Sequence, residues 1–343
     1  MTLVVAPRGS TARSPSPSST FSEVQRRPLP SRSPQTHFEG IARAGSRDRV
    51  HALPGLDRRV LWAIRENMLQ RGQNLDIRGC DQTAGRLAGH YSATAPQYEH
   101  LWAPVLEPFN LRLLAQLPLR GARRVLDVGA GVGTLLPHIR ARASKAQVVG
   151  IDRSMGMIAL APRDLQRAVA DVSQLPTAAE LFDVAILAFM LFHVPDPLGA
   201  LVEVRRVLVP RGCIGITTWG RAQAFLPDDM WTDELDSHGA PPDATPSSRG
   251  MMDSPEKLAD LLNGAGFRVE SIQREPFEQT HSVDELVALK SSLGPTARRL
   301  ARLDEQTRGD CLARMRQRLV ALSRDALTDR DEVIFAIAAK KQA

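Results

Sequence analysis

The sequence predicts an α/β fold from about residue 122 onward: a mostly parallel sheet with helices on both faces. Three observations carry this. Short apolar runs alternate with helix signals along the whole stretch, the first run passes directly into a glycine-rich turn, and the second ends on a carboxylate. Arg124–Val128 is a strand-sized apolar run, Thr134–Ala143 reads as a helix and Gln147–Ile151 as a strand. A helix near 155–161 precedes strands at Ala168–Val172 and Asp183–Phe189. Asp196-Pro197 starts the next helix, with an acid placed to cap it and a proline at its first position. That helix stops before Pro210-Arg211-Gly212, and Cys213–Thr218 is a strand again. Ser254-Pro255 opens a further helix, closed by Gly264-Ala265-Gly266, and Arg268–Ile272 and Glu332–Ala338 are the last strands.

Ahead of the sheet the chain changes character. Residues 1–40 contain 8 Ser and 6 Pro, which bury too little apolar surface to offset ordering entropy, so 1–55 reads as a disordered basic tail. A targeting peptide or a basic arm are the other readings of it. Leu56, Val60, Ile64 and Met68 recur at helical spacing and predict a helix over 56–71, within a helical segment spanning 56–120. The domain proper is expected over 121–343, with insertions at 220–253 and 283–327. The first is long for a connection in a compact domain, which marks it as a functional loop. In the second, Leu312, Met315, Leu319 and Leu322 form an apolar stripe with Arg314, Arg316, Arg318 and Arg324 largely off it, either a solvated face or a contact for an acidic substrate.

Charge excludes one class of function. The net charge is +6, but residues 1–59 hold 10 Arg against 4 acids, leaving 34 basic and 34 acidic residues in 60–343. The body therefore carries no bulk charge that would argue for nucleic acid as a partner. The longest apolar stretch, Val184–Phe192, is 9 residues, against roughly 20 for a membrane span. Three scattered cysteines (Cys80, Cys213, Cys311) suggest no disulfide framework, and neither they nor the histidines suggest a metal site, so a cytoplasmic location is expected.

The chemistry is concentrated in Val125-Leu126-Asp127-Val128-Gly129-Ala130-Gly131-Val132-Gly133-Thr134. Glycine is required where the backbone turns sharply or a ligand approaches without a Cβ in the way. The helix beyond the turn offers unpaired N–H groups. Asp152 falls 21 residues after Gly131, where an open α/β sheet places an acid to accept two ribose hydroxyls. Together these indicate a nucleoside-containing cofactor. The third glycine of the dinucleotide pattern G-x-G-x-x-G would stand at 134, which is Thr134, so a nicotinamide cofactor is disfavoured.

The G-x-G-x-G spacing with Asp127 two residues ahead resembles the first motif of class I S-adenosylmethionine-dependent methyltransferases. Val149-Gly150-Ile151-Asp152 is similar to their second motif, Ala170-Asp171-Val172 to the third and Phe182-Asp183-Val184-Ala185-Ile186-Leu187 to the fourth strand. Phe192-His193-Val194-Pro195-Asp196-Pro197 and Glu203-Val204-Arg205-Arg206-Val207-Leu208 resemble the type 11 small-molecule branch, which includes quinone-biosynthesis and secondary-metabolite enzymes. The resemblance implies a Rossmann-like seven-stranded sheet in the order 3-2-1-4-5-7-6, its last strand antiparallel, with a helical lid. It implies S-adenosyl-L-methionine held by Asp127, Gly129, Ala130, Gly131, Gly133, Asp152, Arg153, Asp171, Val172 and Ala188, closed over by Tyr91 and Tyr98.

Each residue also has a plainer reading. The glycines would serve any tight strand-to-helix turn, Asp152 and Asp171 could merely cap turns, and the tyrosines could be helix packing. His193, just past the fourth strand, is either a general base or a loop-orienting residue. Trp219 and Trp231 are expected to wall a substrate pocket, with core packing the other reading of Trp219. The expected function is methyl transfer to an O, N or C atom of a small molecule. The alternative is a cofactor-binding but catalytically silent regulatory or scaffold partner. Amino-directed nucleic-acid enzymes would carry an Asn/Asp-Pro-Pro-aromatic motif where Ala188-Phe189-Met190-Leu191 stands, and no Pro-Cys nucleophile occurs.

Overall fold

A computed structural model describes residues 82–342. The tail reading for 1–55 and the predicted helix over 56–71 lie outside the described residues. Three helices lead: α1 (Gln82–Ala93), α2 (Ala95–Leu101) and α3 (Ala103–Gln116). The sheet unit follows as β1 (Arg124–Val128), α4 (Leu135–Arg142), β2 (Gln147–Asp152), α5 (Met155–Leu160), β3 (Gln166–Val169), β4 (Phe182–Ala188), α6 (Pro197–Val207) and β5 (Leu208–Trp219). Then come α7 (Leu226–Ser237), α8 (Pro255–Gly264), β6 (Phe267–Thr280), α9 (Val283–Ser292), α10 (Gly294–Leu300), α11 (Glu305–Val320) and β7 (Thr328–Lys340).

The strands form one sheet in the order β3-β2-β1-β4-β5-β7-β6. β1 to β5 run parallel to one another, with Leu126 opposite Val149 on one side and Ala185 on the other. β7 alone runs against its neighbours, pairing antiparallel with both β5 and β6. The expected order and antiparallel last strand are thus present. β1 and β4 are apolar along nearly their whole length because helices bury both faces of the sheet centre.

Helix starts follow local chemistry. Asp196 accepts from the Gly199 N–H at 2.9 Å with Pro197 at the first position of α6, and Ser254 and Asp304 cap α8 and α11 in the same way. Ser282 and Glu285 form a reciprocal capping box on α9. The last two strands extend well past their predicted limits. Paired with each other from Phe267 to Thr280, they outrun the sheet centre and are half-exposed, so their outer halves lack the apolar run that marks a strand in sequence. The third strand is shorter than predicted and ends at Val169.

Two cores result. The larger surrounds the sheet and includes Leu126, Ile186, Phe182, Phe267 and Phe335. The second lies inside the insertions, where Trp231, Leu235, Leu286, Leu300, Cys311, Met315 and Leu319 pack together. The 220–253 connection is therefore not all loop, because α7 lies within it and joins the helices of 283–320 as a lid with its own interior. Three arginines of α11 are tied internally: Arg314 and Arg318 reach the buried Glu234 at 3.2 and 2.9 Å, and Arg316 pairs with Asp284. No described helix is long and apolar enough to cross a membrane.

Trp231 is fully buried in this second core. Trp231→Ala should cost about 3–5 kcal/mol, read as a lowered melting temperature in a thermal unfolding experiment.

Candidate functional site

The loop after β1 occupies the carboxyl edge of the sheet. Gly129, Gly131 and Gly133 have φ of 70°, 56° and 78°, a region that side chains with a Cβ avoid. At two of them space is also closed. A Cβ on Gly129 would lie 2.6 Å from the Met190 Cβ, and one on Gly133 2.6 Å from the Ala161 Cβ. At Gly131 nothing comes nearer than 3.9 Å, from the tips of Met157 and Tyr98. That glycine leaves an open face beneath the tyrosine.

Asp152 ends β2 and ties the loop to it. Its Oδ2 accepts from the Gly131 N–H at 2.8 Å and its Oδ1 from the Ser154 N–H at 2.7 Å. Burial raises its pKa, opposed by the N–H bonds from Ser154, Gly131 and Arg153. Two oxygens with two lone pairs each give four acceptor sites, and three N–H bonds leave one of them for a ligand hydroxyl. Asp127 is different. It is 1% exposed, and its Oδ2 is buried with no hydrogen-bond partner among the described residues. Burial first, and the nearby Asp152 carboxylate second, push its pKa up to about 7. Asp171, past the end of β3, caps the turn at Val172–Gln174 through the Ser173 N–H at 2.9 Å, and its Oδ2 pairs with Arg153 at 2.9 Å. Ala188 closes β4 at the same edge.

The roof is built by α1 and α2. Tyr91 and Tyr98 meet edge-on with ring centroids 6.1 Å apart and pack over Val132 and Met157. The Tyr91 hydroxyl lies 3.1 Å from His193 Nε2, and the rings are 5.5 Å apart. Burial drives the His193 pKa down to about 4, with Arg298 adding to the effect, and raises Tyr91 to about 12. Both are neutral at neutral pH. Tyr98 is raised further for the same reason.

Contacts invisible in the sequence hold the roof down. Ser92 Oγ and Ser154 Oγ are 2.8 Å apart, and the Gly156 N–H reaches Ser92 Oγ at 3.2 Å. A Cβ at Gly156 would lie 2.3 Å from the Ser92 carbonyl oxygen. Phe189, a non-glycine residue at φ 51°, turns the chain after β4 so that Met190 meets Gly129.

On the far side, Ser248 holds the turn that carries His193: its Oγ donates to the Phe192 and Val194 carbonyls at 3.1 and 2.7 Å. Arg249 then grips both Asp331 oxygens at 2.7 and 2.6 Å and lies over the Trp219 ring at 5.9 Å. A cleft of about 240 Å³ runs between Val194-Pro195 and residues 246–251. Trp219 stacks among Phe189, Phe277 and Trp102, with centroids 4.8–6.2 Å away, so it lies in an aromatic cluster at the carboxyl edge. Trp231 does not reach this region. It packs only within the lid, which corrects the expectation that it walls the pocket.

The structure thus brings Asp127, the three glycines, Asp152 and the two tyrosines to one sheet edge, with His193 across from them. The donor set suits a cationic nucleoside ligand. There is an orphaned buried carboxylate, a second carboxylate with one free acceptor site, and an open glycine face beneath an aromatic ring. The sheet order is the one that the resemblance to class I S-adenosylmethionine-dependent methyltransferases implied.

The family model described as "Methyltransferase domain" matches residues 126–216. The chain is similar to a ubiquinone/menaquinone biosynthesis C-methyltransferase of Syntrophotalea carbinolica, 39% identical over 111 residues, or 30% of this chain and 47% of that protein. It is also similar to a malonyl-[acyl-carrier protein] O-methyltransferase of a Methylovorus species, 29% identical over 208 residues, or 57% of this chain and 65% of that protein. A solved methyltransferase structure from Bacillus halodurans superposes with a TM-score of 0.47 at 17% identity, covering 68% of this chain and 100% of that one. The chain spans about half the length of several of the curated relatives it matches.

The buried Asp127 has a measurable consequence. Its folded pKa of about 7 lies above the ordinary aspartate value of 3.8, so between those values the native state binds the extra proton and stability falls as pH rises. Asp127→Asn should flatten the decline in melting temperature between pH 5 and 8 and leave the variant more stable than the parent at pH 8.

Proposed function

We propose that this chain transfers the methyl group of S-adenosyl-L-methionine to an O, N or C atom of a small-molecule acceptor, by in-line displacement governed by positioning. The observation that carries the reading is the pairing of Asp152 with the Gly131 amide beside the orphaned Asp127 carboxylate. Asp152 would take a ribose hydroxyl, Asp127 the cationic methionine end, Asp171 and Val172 the adenine side, and Gly129 to Gly133 the backbone cradle. Bound there, the cofactor supplies a methyl already activated on a sulfonium.

The chain's own residues would do the rest. Tyr91 and Tyr98 cover the cradle and exclude water. His193, neutral and 3.1 Å from the Tyr91 hydroxyl, can accept a proton, yet a base with a pKa near 4 is far from the optimum at neutral pH. Orientation therefore does most of the work, and well-aligned reactants account for roughly 7–11 kcal/mol of barrier. Trp219, backed by Phe277 and Arg249, walls the acceptor side. The charge balance of 60–343 speaks for a small molecule rather than nucleic acid and suits the cytoplasm. The curated relatives named above are methyltransferases of small molecules or carrier-bound groups by name, and no observation favours the silent-partner alternative.

Calorimetry with S-adenosylhomocysteine tests this. The parent should bind it, and Asp152→Ala should weaken binding by about 1–3 kcal/mol, the worth of hydrogen bonds to a charged acceptor. No binding by the parent at millimolar ligand would overturn the reading. Once an acceptor is in hand, Tyr91→Phe should lower kcat with cofactor affinity unchanged, measured by initial rates. An unaltered rate would return the tyrosine to packing alone.

A further inference from the structure

The sheet carries a further cleft at the edge opposite the glycine loop. The amino ends of β1, β2 and β3 and the turn before β2 bound about 510 Å³, lined by Arg123, Arg124, Ser144, Lys145, Gln147 and Gln166. Parallel pairing assembles it. Arg124 stands opposite Gln147, whose N–H donates to the Arg123 carbonyl at 2.8 Å, and Gln166 stands opposite Val149. The β1 wall is fixed from β4, where Asp183 Oδ2 accepts the Arg123 and Arg124 N–H groups at 2.8 Å each. That acid is engaged by the backbone and does not line the cleft.

The lining carries three cations and no acid. The side chains of Arg123, Arg124 and Lys145 have no ion pair or hydrogen bond among the described residues, whereas Arg206, Arg249 and Arg330 are each held by a carboxylate. Residues 60–343 balance 34 basic against 34 acidic residues, so this is a local concentration of charge rather than a share of a basic surface. Like charges held in one cleft repel one another, and a bound anion removes that repulsion. Neutral hydrogen-bonding groups complete the wall: Ser144, Gln147 and Gln166, the last with its Oε1 buried and unpartnered among the described residues.

We propose that this cleft is a ligand site for a small molecule bearing two adjoining phosphate groups. A phosphate monoester carries about −1.5 to −2 charges at neutral pH, so one phosphate leaves part of the charge of three cations unmatched and two match it. Guanidinium forks take phosphate oxygens in pairs, with the Lys145 ammonium a point charge beside them. The volume of 510 Å³ lies within the range of small-molecule pockets, about 300–1,000 Å³, which leaves Ser144 and the glutamines for the rest of the molecule. The cofactor edge is about 16 Å away along the five residues of β1, so this ligand is neither cofactor nor methyl acceptor. The inference does not rest on the methyltransferase reading.

The test is isothermal titration of the full chain in metal-free buffer at constant ionic strength, with inorganic pyrophosphate and UDP compared against inorganic phosphate and uridine. The parent should bind pyrophosphate and UDP, hold phosphate about tenfold more weakly, the worth of a hydrogen bond to a charged group, and give no heat with uridine. Arg123→Gln, Arg124→Gln and Lys145→Gln should each weaken pyrophosphate binding by about the same factor. Lys145 is exposed in a turn, so its variant decides the matter if an arginine variant does not fold. Arg324→Gln, which removes an exposed lid arginine outside the cleft, should bind as the parent does. Pyrophosphate held no more tightly than phosphate, uridine held as tightly as UDP, a Lys145→Gln affinity equal to the parent's, or an equal loss in Arg324→Gln would each overturn the assignment.

Discussion

The hydrogen bond from the Gly131 N–H to Asp152 Oδ2 is the contact on which the site depends. It joins the loop after β1 to the end of β2, and it exists only because three glycines accept positive φ in five residues. A side chain at any of them would strain the turn, and at Gly129 or Gly133 it would also strike Met190 or Ala161. With the loop drawn against Asp152, the adjoining Asp127 is enclosed so completely that no group among the described residues bonds its Oδ2. A buried, unpaired carboxylate is a standing cost to the fold. Such a cost is retained where a ligand of opposite charge removes it, and Asp127 is best understood in those terms.

The roof follows from the same loop. Val132 and Met157 give Tyr91 and Tyr98 an apolar surface to rest on, and the serine pair at 2.8 Å pins α1 to the start of α5. Because Gly156 lets the backbone of Ser92 approach so closely, the tyrosine helices sit directly on the cradle. His193 then completes the enclosure from the β4 side, held from behind by Ser248. Its neutrality is a product of that enclosure, since an exposed imidazole beside a tyrosine would titrate near 6.5.

How much of this was legible in the sequence depends on how local each signal is. The glycine spacing, Asp127 and Asp152 could be read directly because strand, turn and acid lie within a single βαβ unit, where backbone geometry fixes the interval. The central strands were legible because burial on both faces leaves them mostly apolar. The outer halves of β6 and β7 were not, being half-exposed and stabilised by pairing with each other. Trp231 shows a different limit: a large aromatic announces burial but not the core it belongs to, and the lid supplies one of its own. Ser92 with Ser154, and Arg298 with Asp243, are pairs of ordinary residues 62 and 55 positions apart, and nothing in either member's neighbourhood marks its partner.

The site is electrostatically divided, and the division bears on what it can accept. Below the tyrosines lie two buried carboxylates, close enough that each raises the cost of charging the other. The middle layer, Tyr91 and His193, is neutral. Beyond it the nearest charge felt is the guanidinium of Arg298. A cationic ligand is matched to the carboxylate side, and the neutral pair marks where that side ends. That polarity separates two binding problems that the fold alone leaves alike.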